Sequence, residues 1–249
     1  MKTEILYGFH PVFEALKAGR REFSELYIIN EKDSKRFEKI SGLVKERKIP
    51  IKRIDSQQLQ RITGSNLHQG IGAKVGEYPF TTFEDIFNDI KPGNSDFLLL
   101  LDNVVDPHNL GALVRTALCV GVLGIIITKD RSASPTPAVS KTSAGALEHV
   151  KLCKVTNMVG VIKEIKEKGF WVLGMDAGAE MPVFSCKLGD QLAIVIGGEG
   201  KGIRQLVKTN CDFLVSIPQK GSVSSLNASV AGAVVMYEAF RQRSYCGTM

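Results

Sequence analysis

The chain has 249 residues, 44% of them hydrophobic and 23% charged, the composition of an ordinary globular protein with room for one large domain or two smaller ones. No apolar run approaches the roughly 20 residues that span a bilayer, and the N-terminus lacks a basic stretch followed by an apolar one, so a cytoplasmic protein with no membrane attachment is expected. The five cysteines are scattered with no C-x-x-C pair and the four histidines are dispersed, which argues against a disulfide framework and a metal site and for reduced, mostly buried thiols at Cys119, Cys153, Cys186, Cys211 and Cys246. Of the net charge of +6, five units fall in residues 1–80, where 15 Lys and Arg face 10 Asp and Glu. That asymmetry points to a polyanionic partner, nucleic acid first.

The first third alternates strand and helix. ILYGFHPVFEALKAG reads as a strand and then a helix with Pro11 near its first turn and Gly19 near its end. ELYIIN is a strand, and SKRFEKISGLVKERK an amphipathic helix with Phe37, Ile40, Leu43 and Val44 on one side. PIKRID is a strand, SQQLQRIT a short helix capped by Ser56, and QGIGAKV a closing strand. The Gly, Pro and polar residues of GEYPFTTFED mark a boundary near Glu77–Thr82 and give domains 1–76 and 93–249 joined by a linker, 77–92. Beyond it, the apolar runs DFLLLLDN, LGIIIT, FWVLGMD, LAIVIGG and FLVSIP alternate with helix-like GALVRTALCVG, PAVSKTSAGALEHV, VGVIKEIKEKG and IRQLVKT. This is the pattern of an α/β protein with a parallel sheet covered on both faces. A last helix starts near Ser225, with Leu226, Val230, Val234 and Tyr237 as its buried stripe.

Open parallel sheets bind ligands at the carboxyl ends of their strands, and three strand-end loops here are rich in chemistry. In DNVVDPHNLGALVRTA, Asn109 stands where a helix cap is expected. Arg115 sits in an otherwise apolar helical stretch, four residues after the small Gly111; its guanidinium needs an anion there, either a protein carboxylate or a phosphate. In IVIGGEGKGI, the spacing fits neither a Walker loop nor a G-x-G-x-x-G fingerprint, which disfavours a nucleotide-dependent oxidoreductase. The glycines serve a tight turn or the close approach of a polar ligand to Glu199. In IPQKGSVSSLNAS, Ser224 or Ser225 can cap the last helix, which leaves Ser222, Asn227 and Ser229 unexplained.

These three loops, in order and at this spacing, resemble the three motifs of the SpoU (TrmH-type) RNA ribose 2′-O-methyltransferases. YGFHPVFEAL, NLHQGIGA and RSASPTPAVSKTSAGALEHV resemble the bacterial branch that methylates a guanosine of 23S ribosomal RNA. The resemblance implies an S-adenosylmethionine-dependent methyltransferase acting on a ribose 2′-hydroxyl, with a C-terminal deep trefoil knot in the catalytic domain, a small α/β RNA-binding domain before it, and a homodimer with the site near its interface. It implies catalytic roles for Asn109, Arg115, Glu199, Ser225 and Asn227. Cofactor contacts are implied at Gly197, Gly198, Glu199, Gly200, Ile217, Gln219, Ser225 and Leu226. Gln219 departs from the family, which usually has an apolar residue after Ile-Pro. A transfer RNA methyltransferase of the same family, and an RNA-binding assembly factor without catalysis, are the alternatives.

Overall fold

The computed structural model describes residues 2–29, 35–91, 96–222 and 225–245, with the side chains of 35–37 outside the description. The side chain of Phe37 and the residues Ser224 and Cys246 therefore lie outside the description. The elements run β1 (Thr3–Tyr7), α1 (Phe9–Ala18), β2 (Phe23–Ile29), α2 (Lys35–Glu46), β3 (Ile51–Ile54), α3 (Ser56–Thr63), β4 (Ile71–Gly76), α4 (Phe83–Asn88), β5 (Phe97–Asp102), α5 (Pro107–Cys119), β6 (Gly124–Thr128) and α6 (Pro137–Thr142). They continue with β7 (Leu152–Val155), α7 (Met158–Glu167), β8 (Trp171–Met175), β9 (Met181–Pro182), β10 (Leu192–Gly197), α8 (Gln205–Lys208), β11 (Phe213–Ser216) and α9 (Ala228–Tyr245). They form two compact units, one of Met1–Pro79 with Ser134–His149 and one of Phe80–Ala133 with Val150–Met249.

The first unit is a four-stranded sheet in the order β1-β4-β2-β3, with β4 antiparallel to both its neighbours and β2 parallel to β3. Its core joins Leu6, Leu26 and Ala73 of the sheet to Val12 and Leu16 of α1 and to Ile40 and Val44 of α2. Gly19 ends α1 in the left-handed conformation at φ 65°, where glycine carries no Cβ penalty. The cap of α3 is Asp55 rather than Ser56: its carboxylate accepts from Gln58 N while the Gln58 side chain accepts from Asp55 N, a reciprocal capping box.

The segment Ser134–His149 belongs to this unit although the chain on either side of it does not. It forms one helical turn and a half, then a 3-10 turn at Ala146–Glu148, instead of the single helix the sequence suggests. Ala144 and Gly145 take positive φ of 53° and 85°, which no helix tolerates. A Cβ on Gly145 would lie 2.7 Å from Glu14 Cβ and 2.8 Å from His10 O, so the segment presses its backbone onto α1 there. The turn carries Glu148 into the unit's interior, where Arg21 Nε donates to Glu148 Oε2 at 2.7 Å and Ser140 Oγ to Glu148 Oε1 at 2.8 Å. Arg21 also donates to Glu4 Oε2 at 2.6 Å and Gly76 O at 3.2 Å.

The second unit is a seven-stranded sheet in the order β7-β6-β5-β10-β8-β11-β9, parallel in every pairing. The five apolar runs read from the sequence are its central strands. The short edge strands β7 and β9 carry too little apolar signal to stand out. Leu98 and Leu100 of β5, Ala193 and Val195 of β10 and Ile126 of β6 share a core with Ile162 and Ile165 of α7 and Ile86 of α4. α4 falls within the stretch read as linker. α9 begins at Ala228, not Ser225, and its inward face is Gly232, Val235, Met236 and Ala239. Leu226, Val230 and Tyr237 are 39, 48 and 51% exposed, so the stripe chosen from periodicity faces outward. Through Met236 the helix is apolar or small nearly all round, and periodicity cannot choose a face when both qualify.

Of the described cysteines, Cys153 is buried and Cys119 exposed, with Cys186 and Cys211 between. Burial pushes the Cys153 and Cys211 thiols up to about 12, so both stay protonated at neutral pH. Among the described residues no helix is long and apolar enough to cross a membrane, and no group of His, Cys, Asp and Glu could hold a metal ion.

Candidate active site

Two parallel-sheet features set the site: β10 and β5 run side by side in register, and each ends in a loop from which a helix starts. At the end of β5, Asp106 caps α5 by accepting from His108 N at 2.9 Å, with Pro107 as the first helical residue. Asn109 is therefore not the cap. It lies in the first turn, 5% exposed, and its side chain must find partners elsewhere. At the start of α9, Asn227 is the cap instead of Ser225: its Oδ1 accepts from Ser229 N at 2.9 Å and Val230 N at 3.3 Å, and from Ser229 Oγ at 2.6 Å.

That cap fixes everything downstream. Because Asn227 Oδ1 faces backbone N–H groups, its Nδ2 points the other way and donates to Glu199 Oε1 at 2.8 Å and Asn109 Oδ1 at 3.0 Å. Asn109 Oδ1 is thereby an acceptor, and Asn109 Nδ2 donates to Glu199 Oε1 at 2.7 Å. Three residues separated by up to 118 positions close a ring of hydrogen bonds around one carboxylate oxygen. Close packing brings the two helices together: a Cβ on Gly232 would overlap Leu113 Cδ2 of α5 and lie 2.6 Å from Ile196 Cδ1 of β10.

Glu199 is held by a loop that closes on itself, with Gly202 N donating to Gly198 O at 3.1 Å and Lys201 N to Glu199 O at 3.0 Å. Both ends of the loop are tied to Asp102, the last residue of β5. Gly198 N donates to Asp102 O at 2.9 Å, and Arg204 N and Nε donate to the two Asp102 carboxylate oxygens at 2.8 Å each. Asp102 is fully buried. Sequence reasoning missed it because it reads as the polar end of an apolar strand; its place at a strand end beside the first motif was the available signal. Glycine is required where the chain crosses itself. A Cβ on Gly197 would overlap the Gly202 carbonyl, and one on Gly198 the Asn103 carbonyl oxygen.

Beside Glu199 opens a cleft of about 550 Å³ at the carboxyl ends of β8, β10 and β11, within the range of sites for small organic cofactors. Gly197, Gly198, Glu199, Gly200, Ile217, Gln219, Ser225, Leu226 and Asn227 all line it. So do residues the sequence reading passed over, chiefly Asp176 at the end of β8 and Lys208 of α8, which form an ion pair at its wall. Apolar side chains of Ile196, Ile217 and Leu226 share the cavity with backbone polar groups of glycine turns, a lining that suits a molecule combining a flat aromatic base with hydroxyls and charged ends.

Arg115 is not in this lining. It is exposed on α5 and, among the described residues, pairs with no carboxylate, so the structural salt bridge considered from sequence is not formed. Asn109 reaches the cleft through Glu199.

The SpoU rRNA Methylase family model matches residues 96–237, and a model for RNA 2′-O ribose methyltransferase substrate binding matches residues 5–81. This chain belongs to the SpoU family. It is 37% identical to the 23S rRNA (guanosine-2′-O-)-methyltransferase RlmB of Escherichia coli K12 over 97% of this chain and 100% of that protein. Identity to RlmB of Shewanella oneidensis is 39% over 97% of this chain and 98% of that one. The fold superposes on the SpoU methyltransferase AviRb of Streptomyces viridochromogenes, solved with AdoMet, with a TM-score of 0.81 over 97% of this chain and 90% of AviRb, at 24% identity. Membership makes the chain an S-adenosylmethionine-dependent RNA 2′-O-methyltransferase.

The ring makes a sharp prediction about its own wiring. Asn227→Asp keeps an acceptor for the α9 cap but sets a second carboxylate against Glu199. Expected is at least a tenfold fall in transfer rate, and the like charges set together destabilise the fold although the cap is kept. Transfer rates of this variant and of Asn227→Ser, which can cap without adding a charge but lacks the amide that donates to Glu199, check this; wild-type rates in both contradict the assignment.

Proposed function

We propose that this protein methylates the ribose 2′-hydroxyl of a guanosine in 23S ribosomal RNA, in the cytoplasm, as a homodimer. The observation that carries the reading is the Asn109–Glu199–Asn227 ring at the mouth of a cleft built from strand ends and glycine turns. The full-length relatives whose names specify a 23S guanosine favour that substrate over transfer RNA. The tRNA-modifying TrmH/SpoU enzyme of Aquifex aeolicus overlays only 66% of this chain, with a TM-score of 0.56.

When bound, S-adenosylmethionine supplies an electrophilic methyl group on sulfur. Ile196, Ile217 and Leu226 would hold its apolar part, while the Gly197–Gly200 turn, Gln219 and Ser225 would offer polar groups. Alignment of the ribose oxygen with that methyl lowers the barrier by roughly 7–11 kcal/mol. Arg115 grips the target phosphate and stabilises negative charge as the 2′-oxygen loses its proton to solvent water. It does not abstract the proton, because a guanidinium stays protonated in proteins. Asn109 and Asn227 orient the ribose and Glu199 holds both amides in register, while Ser225 hydrogen-bonds beside them. The Asn227–Glu199 contact, which sets the segment after β11 against the loop after β10, supports threading of the C-terminal segment as a trefoil knot.

The outward apolar face of α9, with Val230, Tyr237 and Tyr245 exposed beside Phe184, supports a second copy as its cover. Sedimentation at micromolar concentration tests this, and a monomer there refutes it. For the reaction, purified 23S rRNA fragments and transfer RNA are incubated with labelled donor and the product mapped. Label at one guanosine 2′-oxygen of 23S rRNA is expected. Label on transfer RNA alone assigns the tRNA reading, and donor binding without transfer to either leaves a non-catalytic RNA-binding factor.

A further inference from the structure

One cluster in the first unit is used by none of the chemistry above. Lys141, in the last turn of α6, lies where a Cβ on Gly8 would overlap its Nζ, and Gln69 Oε1 lies 3.3 Å from that same Cβ position. Three stretches of chain far apart in sequence thus meet at one point. Gly8 adopts φ 91°, and Gln69 and Gly70 adopt 55° and 81°, so two tight turns frame the amine. The turns are held together: Gly8 N donates to Ile71 O at 3.1 Å, and Phe9 N to Gln69 Oε1 at 3.0 Å.

Lys141 itself has no carboxylate partner among the described residues. α1, which starts here, carries no acid in its first turn, and its N-cap Gly8 has no side chain to cap with. Burial holds the Lys141 ammonium below the usual lysine range, and no neighbouring charge opposes that shift. A partly exposed ammonium with no carboxylate beside it is open to an anion from solution. The segment that presents it cannot drift away, because Glu148, seven residues on, is locked to Arg21 in the interior of the same unit.

We propose that Lys141, with the Gly8 and Gln69 turns, forms a phosphate-binding subsite for the substrate RNA backbone, so that the RNA-binding surface includes a segment outside the N-terminal stretch. The Gly8 and Phe9 N–H groups are spent on Ile71 O and Gln69 Oε1 and the Lys141 amine fills the space beside the bare Gly8 Cα, so the compact ammonium carries the contact, and it suits a single phosphate. This rests on the reading of the first unit as an RNA binder.

The test is a salt series of RNA-binding measurements on the full-length protein and a 23S rRNA fragment, with wild type, Lys141→Gln and Lys141→Arg. Wild-type affinity falls linearly in a log–log plot. Lys141→Gln is expected to bind more weakly at low salt and to lose about 0.7–1 unit of slope, the signature of one phosphate contact, with its melting temperature unchanged; Lys141→Arg restores the slope. A Gln variant with the wild-type slope overturns the subsite and leaves the RNA reading standing. So does a slope lost equally in the Arg variant, which marks a structural role. Wild-type protein that does not bind the RNA at all overturns both.

Discussion

Replacing Arg115 by Ala is expected to lower kcat for methyl transfer by about 10²–10³-fold, the loss typical of one preorganised charge stabiliser, while donor affinity and melting temperature stay at wild-type values. The three readouts separate because of where the residue lies. Arg115 does not line the cleft, so binding of the donor measured by calorimetry has nothing to lose. It is exposed and makes no ion pair among the described residues, so folding has nothing to lose either. Arg115→Lys keeps the charge but not the planar fork that grips a phosphate through two hydrogen bonds, and an intermediate rate is expected of it. A Lys variant turning over at the wild-type rate removes the two-point grip from the mechanism. An Ala variant that does so removes Arg115 altogether.

Glu148→Ala is expected to destabilise the protein by about 3–5 kcal/mol, because it leaves the Arg21 guanidinium buried without its main counter-charge. Neither side chain has an escape to solvent: Arg21 is fully buried and Glu148 is 1% exposed. The cost is therefore that of an interior pair rather than the fraction of a kcal/mol an exposed pair is worth. Glu4, 23% exposed, remains as a partner for Arg21 Nη1 and keeps the loss from growing further. Ser140 also loses its acceptor, which adds to the effect. In urea titration the midpoint falls, and limited proteolysis should find new cleavage within Ser134–His149. A change below about 1 kcal/mol refutes the view that this pair fastens the segment to the first unit.

How much of this was legible beforehand depends on the range of the interactions. Signals that live within a few residues were readable. The apolar runs that became β5, β6, β8, β10 and β11 appear as strands because residues buried on both faces must be apolar throughout. Gly19 ends α1 because only a short stretch of chain needs to know it. Each loop motif is contiguous in the sequence, and the residues that the family resemblance implies for cofactor contact line one cleft.

Caps already went astray, since Asp55, Asp106 and Asn227 displaced Ser56, Asn109 and Ser225. A run of polar residues at a helix start offers several cap candidates, and only the backbone path chooses one. Once Asp106 takes that duty, Asn109 is free for the ring; once Asn227 takes it, its amide has only one way to point. The face of α9 was misread because a stretch apolar or small nearly all round carries no directional signal; the close approach that Gly232 permits to Leu113 and Ile196 decided it. The attachment of Ser134–His149 to the first unit was decided by a charge pair spanning 127 positions. Sequence by itself determined the long apolar strands and which loops carry the family motifs, because local burial and local backbone preference set those. Only the tertiary structure decided which polar groups meet, because a buried donor or acceptor is satisfied by whatever the fold brings within 3 Å, however distant along the chain.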